Sequence, residues 1–482
     1  MVRHAWCVVM VSALLLAGSA ARDVARAAGG GQDAPVPATS AAGPWSGQIS
    51  LPPGPLNIAV VLTTDASGAW SGTIDIPAQG AKGIRLSNVV VDGRAVSFAM
   101  AGVPGDPRFA GTLSDDGQAM TGTFSQGGAS LPFELERGAR TYARPQEPKP
   151  PFPYRADDVT YRNDAPGISI AGTLTLPQGA GPFPAVLLIS GSGPQDRDST
   201  LMGHRKFLLW ADTLTRQGIA VLRVDDRGVG GTDRGPAQPT TMDFAGDVRA
   251  GLTFLAARPE IDPKRLGLIG HSEGANIAAI VAADDPRVRV IVMLGGTGVR
   301  GDEILLQQFE ALAAAQGAPR AVIDWQLTIR RRVFDQVLAE KDGQPDETAR
   351  QTLLDSLPPV PGTADAAPGR EVAMALFKSL NPWLRYFMAT DPRETLARVK
   401  VPVLALVGEL DLQVVSRENV PAIRAALEAA GNTDATVRAL PGLNHLFQTA
   451  KTGSVAEYEQ IEETISPVVL SLVSEWIAAR AR

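Results

Sequence analysis

The segment Gly270-His271-Ser272-Glu273-Gly274 constrains this chain more than any other. The apolar run Arg265-Leu266-Gly267-Leu268-Ile269 before it reads as a buried strand, and residues 275–283 after it read as a helix rich in small residues. Glycines at both ends let the backbone turn sharply and let the helix pass close to the strand. In that strand–turn–helix setting the G-x-S-x-G pattern is a nucleophile elbow. The turn lifts the Ser272 hydroxyl out of the sheet, and the helix aims its positive end at it. The alternative is an idle serine on a glycine-rich connection.

The same rhythm runs through residues 154–482. Strands are expected at 158–162, 168–176, 185–190, 220–225, 265–269, 290–294, 403–407 and 435–440. Helices are expected at about 206–216, 242–257, 275–283, 421–430 and 456–480, the last broken near Pro467. Apolar strands alternating with amphipathic helices predict an α/β fold, a mostly parallel, doubly wound sheet covered on both faces. Between 301 and about 393 the strands stop. Ile304, Leu305, Phe309 and Leu312, then Val333, Phe334, Val337 and Leu338, fall at helical spacing. This predicts a helical cap inserted after the strand at 290–294, either a lid or a layer without a gating role.

Upstream the text is different. Residues 44–138 form short alternating runs broken by turn signals such as Asp92-Gly93 and Asp116-Gly117, and predict a small all-β sandwich or barrel of roughly eight strands. Four runs echo one another: Trp45-Ser46-Gly47-Gln48-Ile49, Trp70-Ser71-Gly72-Thr73-Ile74, Phe109-Ala110-Gly111-Thr112-Leu113 and Met120-Thr121-Gly122-Thr123-Phe124. In each, a bulky residue, a glycine and an apolar residue share one face, and the glycine leaves room for a neighbour or a bend. This unit has no histidine and no acidic cluster, so no chemistry is assigned to it. It is expected either to dock a partner or to pack on the enzyme domain. Residues 139–153, with five prolines from Pro145 to Pro153, read as a stiff linker.

Residues 1–28 read as a signal peptide: Arg3 and His4, an apolar run at 5–17 too short to span a bilayer, then small residues with cleavage after Ala20, Ala27 or Ala28. Residues 29–43 read as a disordered leader. An exported protein follows, periplasmic or extracellular, with no stable membrane insertion after cleavage. The one cysteine, Cys7, lies in the signal region, which leaves no disulfide framework and no cysteine metal site. A net charge of −6 and the lack of any Lys/Arg block argue against a nucleic-acid partner.

A serine hydroxyl needs a base, and the base needs a group to orient it. The chain has four histidines. His4 lies in the signal region, His271 should point to the face opposite Ser272, and His204 precedes the serine in a loop or at a helix start. That leaves His445, in a loop after the last strand. The orienting carboxylate should follow a strand between Ser272 and His445. Val407-Gly408-Glu409-Leu410-Asp411 supplies it, with Asp411 preferred and Glu409 the competitor. Backbone N–H groups for a developing oxyanion are expected from Glu273 and from Ser192, or alternatively Gly193, in the loop Gly191-Ser192-Gly193-Pro194-Gln195-Asp196-Arg197-Asp198. That loop lacks the lysine of a P-loop and the further glycine of a dinucleotide fingerprint. Asp225-Asp226-Arg227-Gly228 should brace it.

These motifs, with Asn381-Pro382-Trp383-Leu384 and Asn444-His445-Leu446-Phe447, make residues 154–482 resemble the α/β-hydrolase superfamily, and within it exported bacterial serine esterases related to the prolyl oligopeptidase and dienelactone hydrolase branches. The resemblance implies a triad of Ser272, Asp411 and His445 with no metal and no cofactor. It departs at Ser190-Gly191, where many esterases have His-Gly. The expected substrate is a small-molecule carboxylic ester with a short acyl chain. Trp383, Tyr386 and Phe387 would either line its pocket or pack the cap on the core. The rivals are a serine peptidase of aminopeptidase or prolyl oligopeptidase type, using the same triad, and a non-catalytic binding protein on a hydrolase scaffold.

Overall fold

The computed structural model describes residues 41–51, 54–77, 81–103, 105–127, 129–138 and 142–480. The expected signal peptide and most of the expected leader lie outside them. The described residues divide into two compact units: one holds the β-barrel together with Ala313–Asp324, and the other, an α/β unit, holds Tyr142–Leu312 and the residues from Trp325 on.

The barrel answers the choice between sandwich and barrel. Its strands are β1 (Gly43–Leu51), β2 (Gly54–Thr64), β3 (Trp70–Ile76), β4 (Ala81–Asp92), β5 (Ala95–Met100), β6 (Arg108–Leu113), β7 (Ala119–Gln126) and β8 (Ala129–Arg137). Each pairs with the next, and β8 returns to β1 through Trp45↔Arg137 and Ile49↔Phe133, which closes the sheet. Period-2 alternation sends Trp45, Ile49, Ile74, Phe109, Leu113 and Met120 inward. Phe109 centres the core, with ring centroids 4.7 Å from Phe98 and 4.8 Å from Phe124.

The repeated glycines mark where the wall is tightest. A Cβ on Gly47 would overlap the Glu134 carbonyl, and one on Gly122 would overlap the Ala110 carbonyl. Gly111 and Gly122 face each other in register. The echo is therefore the price of closure: strands coiling into a small barrel approach more closely than a side chain permits. One expectation is corrected here. Residues 41–43, the end of the predicted disordered leader, are packed: Ala41 is buried and its carbonyl accepts the Trp45 indole N–H at 2.9 Å, which a buried indole requires.

The α/β unit starts with the proline-rich stretch, which is tied down at Arg144 and Gln146. The Gln146 side-chain oxygen accepts the N–H groups of Thr464 and Ile465 at 2.6 and 3.1 Å, and Arg144 donates to the Met202 and Glu459 carbonyls at 2.9 and 2.7 Å. The strands follow as β9 (Arg155–Asn163), β10 (Ile168–Leu176), β11 (Phe183–Ile189), the short hairpin β12 (Thr200–Leu201) and β13 (His204–Arg205), β14 (Ala220–Val224), β15 (Ile261–His271), β16 (Val288–Leu294), β17 (Val403–Gly408) and β18 (Ala435–Leu440). The main sheet has the order β18-β17-β16-β15-β11-β14-β10-β9. The strands from β18 to β14 run parallel, and β10 and β9 are antiparallel additions.

Helices α1 (Lys206–Thr215), α2 (Thr241–Ala256) and α3 (Glu273–Asp284) connect the central strands. After β16 come α4 (Gly301–Ala315), α5 (Arg320–Ala339), α6 (Glu347–Asp355), α7 (Ala367–Ser379), α8 (Pro382–Ala389) and α9 (Pro392–Leu396), the helical insertion. Then α10 (Ser416–Ala429), α11 (Val455–Tyr458) and α12 (Pro467–Arg480) complete the unit. The helix expected to start at Pro421 begins at Ser416 and carries Pro421 inside it. One core holds Val186, Leu188, Trp210, Val292, Leu406 and Val473, the alternate residues of the central strands against α1 and α12. Within the insertion, the buried Glu340 carboxylate pairs with Arg350 at 2.5 Å and Arg385 at 2.8 Å, joining the end of α5 to α6 and α8.

The order reverses at β11, which is followed by β14 on one side and β15 on the other. The loops after β11 and β15 therefore leave in different directions and open a crevice at the carboxyl ends of the strands, where ligands bind in open α/β sheets.

The barrel reading is open to a direct check. Gly122→Ala is expected to lose about 1–3 kcal/mol through forced overlap, seen as a lower urea midpoint, while Thr123→Ala, exposed on the same strand, stays within about 0.5 kcal/mol. Equal midpoints for the two would contradict the close approach.

Candidate active site

Ser272 stands in that crevice. Its φ is 57° and ψ −123°, a left-handed setting that costs a non-glycine residue about 1–3 kcal/mol and persists only where the surroundings hold it. The surroundings are tight backbone. A Cβ on Gly270 would overlap the Gly274 carbonyl, and one on Gly274 would overlap the carbonyls of Ile189 and Ser190. The Ser272 N–H donates to the Leu294 carbonyl at 2.8 Å, which fixes the turn to the neighbouring strand. Ser272 directly precedes α3, whose first N–H groups have no acceptor within the helix.

His445 and Asp411 meet at the ends of the next strands. The His445 Nδ1–H donates to Asp411 Oδ2 at 2.7 Å, and both residues are buried. The other carboxylate oxygen accepts the N–H groups of Gln413 and Val414, each at 2.8 Å. A carboxylate on Nδ1 holds the ring in the tautomer that leaves Nε2 as the basic nitrogen. The competitor Glu409 is exposed, while its backbone N–H donates to the Leu440 carbonyl at 2.9 Å. Gly295 brings the strands together. It follows Leu294, the residue paired with His271, and a Cβ there would lie 3.2 Å from the His445 ring. Ser272 and the His445 ring thus flank the same short turn.

His271 lies beside the base: its Nε2–H donates to the His445 carbonyl at 2.9 Å, and the two rings lie 4.8 Å apart. Burial drives its pKa well below the ordinary histidine value, with the Lys206 and His445 charges adding to the effect. It is therefore a neutral prop under the His445 loop. His204, left between a loop and a helix start, sits in β13, fully buried between the Thr464 hydroxyl at 3.0 Å and the Tyr458 carbonyl at 2.9 Å. Burial lowers its pKa to about 4.

The loop after β11 lies directly over Ser272: a Cβ on Gly191 would lie 3.0 Å from the Ser272 Cβ. The Asp225-Asp226-Arg227 segment holds this loop. Asp226 accepts the Ser190 hydroxyl at 2.7 Å and the Gln195 N–H at 2.8 Å, and Asp225 accepts Arg197 Nη2 at 2.7 Å. Burial, helped by the nearby Glu273 and Asp247 carboxylates, pushes the Asp226 carboxyl up to about 7 against those two hydrogen bonds.

Sequence reasoning missed the side chain of Glu273. It is buried, and its Oε1 accepts the Thr241 hydroxyl at 2.7 Å and the Trp383 indole N–H at 2.8 Å. Burial raises its pKa, opposed by the hydrogen bonds from Thr241 and Trp383. The available signal was a carboxylate in the first turn of an otherwise apolar helix, which must find donors if that helix is buried. Of the expected pocket residues, Trp383 is thereby brought beside the elbow, and Phe387 stacks on it at 5.5 Å. Tyr386, half-buried, gives its carbonyl to the Thr390 hydroxyl at 2.7 Å. Among the described residues no group of three or more His, Cys, Asp or Glu stands as a metal-ligand set.

The family model described as Serine aminopeptidase, S33 matches residues 204–449, about half of the chain and the part that carries Ser272, Asp411 and His445. Esterase EstD of Thermotoga maritima is 24% identical over 312 residues, 64% of this chain and 65% of that protein. Esterase FrsA of Serratia proteamaculans is 33% identical over 146 residues, 30% of this chain and 32% of that protein. The chain thus spans less than two thirds of the length of these relatives. A solved dienelactone hydrolase from Anabaena variabilis is 18% identical with TM-score 0.37, over 68% of this chain and 100% of its own. On the match over residues 204–449, the chain belongs to the serine aminopeptidase S33 family of the α/β-hydrolase superfamily.

Proposed function

We propose that this chain is an exported serine hydrolase that cleaves small carboxylic esters, short acyl chains foremost, through Ser272, His445 and Asp411. The observation that carries the proposal is the 2.7 Å His445–Asp411 hydrogen bond behind a serine held left-handed at a strand–helix turn. The Ser272 hydroxyl attacks the ester carbonyl as His445 Nε2 takes its proton. The N–H groups of Glu273 and Ser192 receive the oxyanion, a contribution of about 3 kcal/mol per donor. The alcohol departs with the proton from His445, and water, activated by the same nitrogen, releases the acid. Asp411 orients the ring and stabilises its cationic form. Export rests on the signal-like residues 1–28, and the barrel is assigned no step in this chemistry.

A second reading, an aminopeptidase, is favoured by the family's description. An aminopeptidase needs a carboxylate for the free amine of its substrate. Glu273, the carboxylate that adjoins the nucleophile in the chain, is already engaged by Thr241 and Trp383. The esterase names of EstD and FrsA support the ester reading.

Two measurements test the proposal. Asp411→Asn is expected to lower kcat about 10⁴-fold by reversing the ring tautomer, while Glu409→Gln leaves kcat near wild type. Loss of turnover in Glu409→Gln alone would move the orienting role to Glu409. Against p-nitrophenyl acetate and butyrate and a set of aminoacyl p-nitroanilides, kcat/KM is expected to favour the esters. Faster anilide turnover would make the protein a peptidase.

A further inference from the structure

The elbow carries a second polar connection that the triad does not use. The Glu273 backbone is at the first position of α3, where its N–H points along the helix axis past the amino terminus. Its side chain is buried and hydrogen-bonds two separate segments. Thr241 opens α2, and Trp383 opens α8 of the helical insertion.

None of these contacts is incidental to its own segment. Trp383 is held where it is by a helix start in which Asn381 Oδ1 accepts the Leu384 N–H at 2.8 Å and Pro382 takes the first turn. Phe387 stacks on its ring one turn later, at 5.5 Å. A buried carboxylate must be supplied with donors, and hydrogen bonds to such a group are about twice as strong as neutral ones. Here one donor comes from the insertion and the other from the start of α2, and the acceptor belongs to the first residue of the helix that follows Ser272.

We infer that the Glu273 carboxylate is a positioning residue that couples the helical insertion to the oxyanion hole, tying Trp383 and Thr241 to the residue whose own N–H stands next to Ser272. The inference rests on the serine-hydrolase reading. The position of α8 is transmitted to the elbow through one carboxylate, so a change at Trp383 acts on turnover without touching the triad. Trp383→Phe keeps an aromatic ring for Phe387 and removes only the indole N–H. Glu273→Ala removes the acceptor for both donors.

The test is a double-mutant cycle on hydrolysis of p-nitrophenyl butyrate, with the inactivation rate by a fluorophosphonate measured in parallel. Trp383→Phe and Glu273→Ala are each expected to lower kcat about tenfold, the effect of one charge-assisted hydrogen bond, with a smaller change in KM. The double variant is expected to be no slower than Glu273→Ala alone, and Glu273→Gln, which keeps an acceptor oxygen, to recover part of the loss. Losses that multiply, or wild-type kcat in Trp383→Phe, would overturn the coupling, and the second result stands even if Glu273→Ala fails to fold. A wild-type protein inert to both ester and fluorophosphonate would overturn the underlying reading instead.

Discussion

The site depends on three stretches of backbone lying closer together than any side chain would allow. The end of β15, the start of α3 and the end of β11 converge at Gly270 and Gly274, where a Cβ would overlap a carbonyl in either case. That closeness holds Ser272 at φ 57°, and the cost of the conformation is met by the packing around it. It also brings Gly191 over the serine and sets α3 with its amino end toward the crevice. The same device closes the barrel at Gly47 and Gly122, where neighbouring strands leave no room for a side chain. In both units the architecture is set by where glycine permits approach, and apolar burial then fills the space around it.

Buried charge at the site is arranged in three ways. Asp411 accepts two backbone N–H groups and the His445 ring. Asp226 has donors but lies near Glu273 and Asp247, and burial takes it up to about 7. Lys206, at the start of α1, is buried and burial alone brings it down to about 8. His271 and His204, both kept neutral by burial, brace the His445 loop from two sides.

Most of the fold was legible. Every expected strand of the α/β unit is present because apolar runs bounded by glycine and proline have few other uses in a chain with this alternation. The elbow was legible because its glycines, serine and flanking elements are contiguous. What could not be read was contact across the sequence. The echo at Trp45, Trp70, Phe109 and Met120 showed that a glycine shared the inward face, yet only three-dimensional closure gives it a purpose. The His271 ring meets the carbonyl of His445, a residue far along the chain. The Glu273–Trp383 bond joins residues 110 positions apart, and no local pattern pairs a carboxylate with a particular indole at that distance. Residues 41–43 looked like leader by composition, while their packing is required by the Trp45 indole beyond them.

The central claim is that Ser272 is an activated nucleophile, and covalent labelling addresses it most directly. Folded wild-type protein treated with a fluorophosphonate is predicted to gain the mass of one phosphonyl group, mapped by peptide analysis to Ser272. The adduct should be absent from Ser272→Ala and from urea-unfolded chain. An unmodified folded protein, or an adduct on a different serine, would contradict the account.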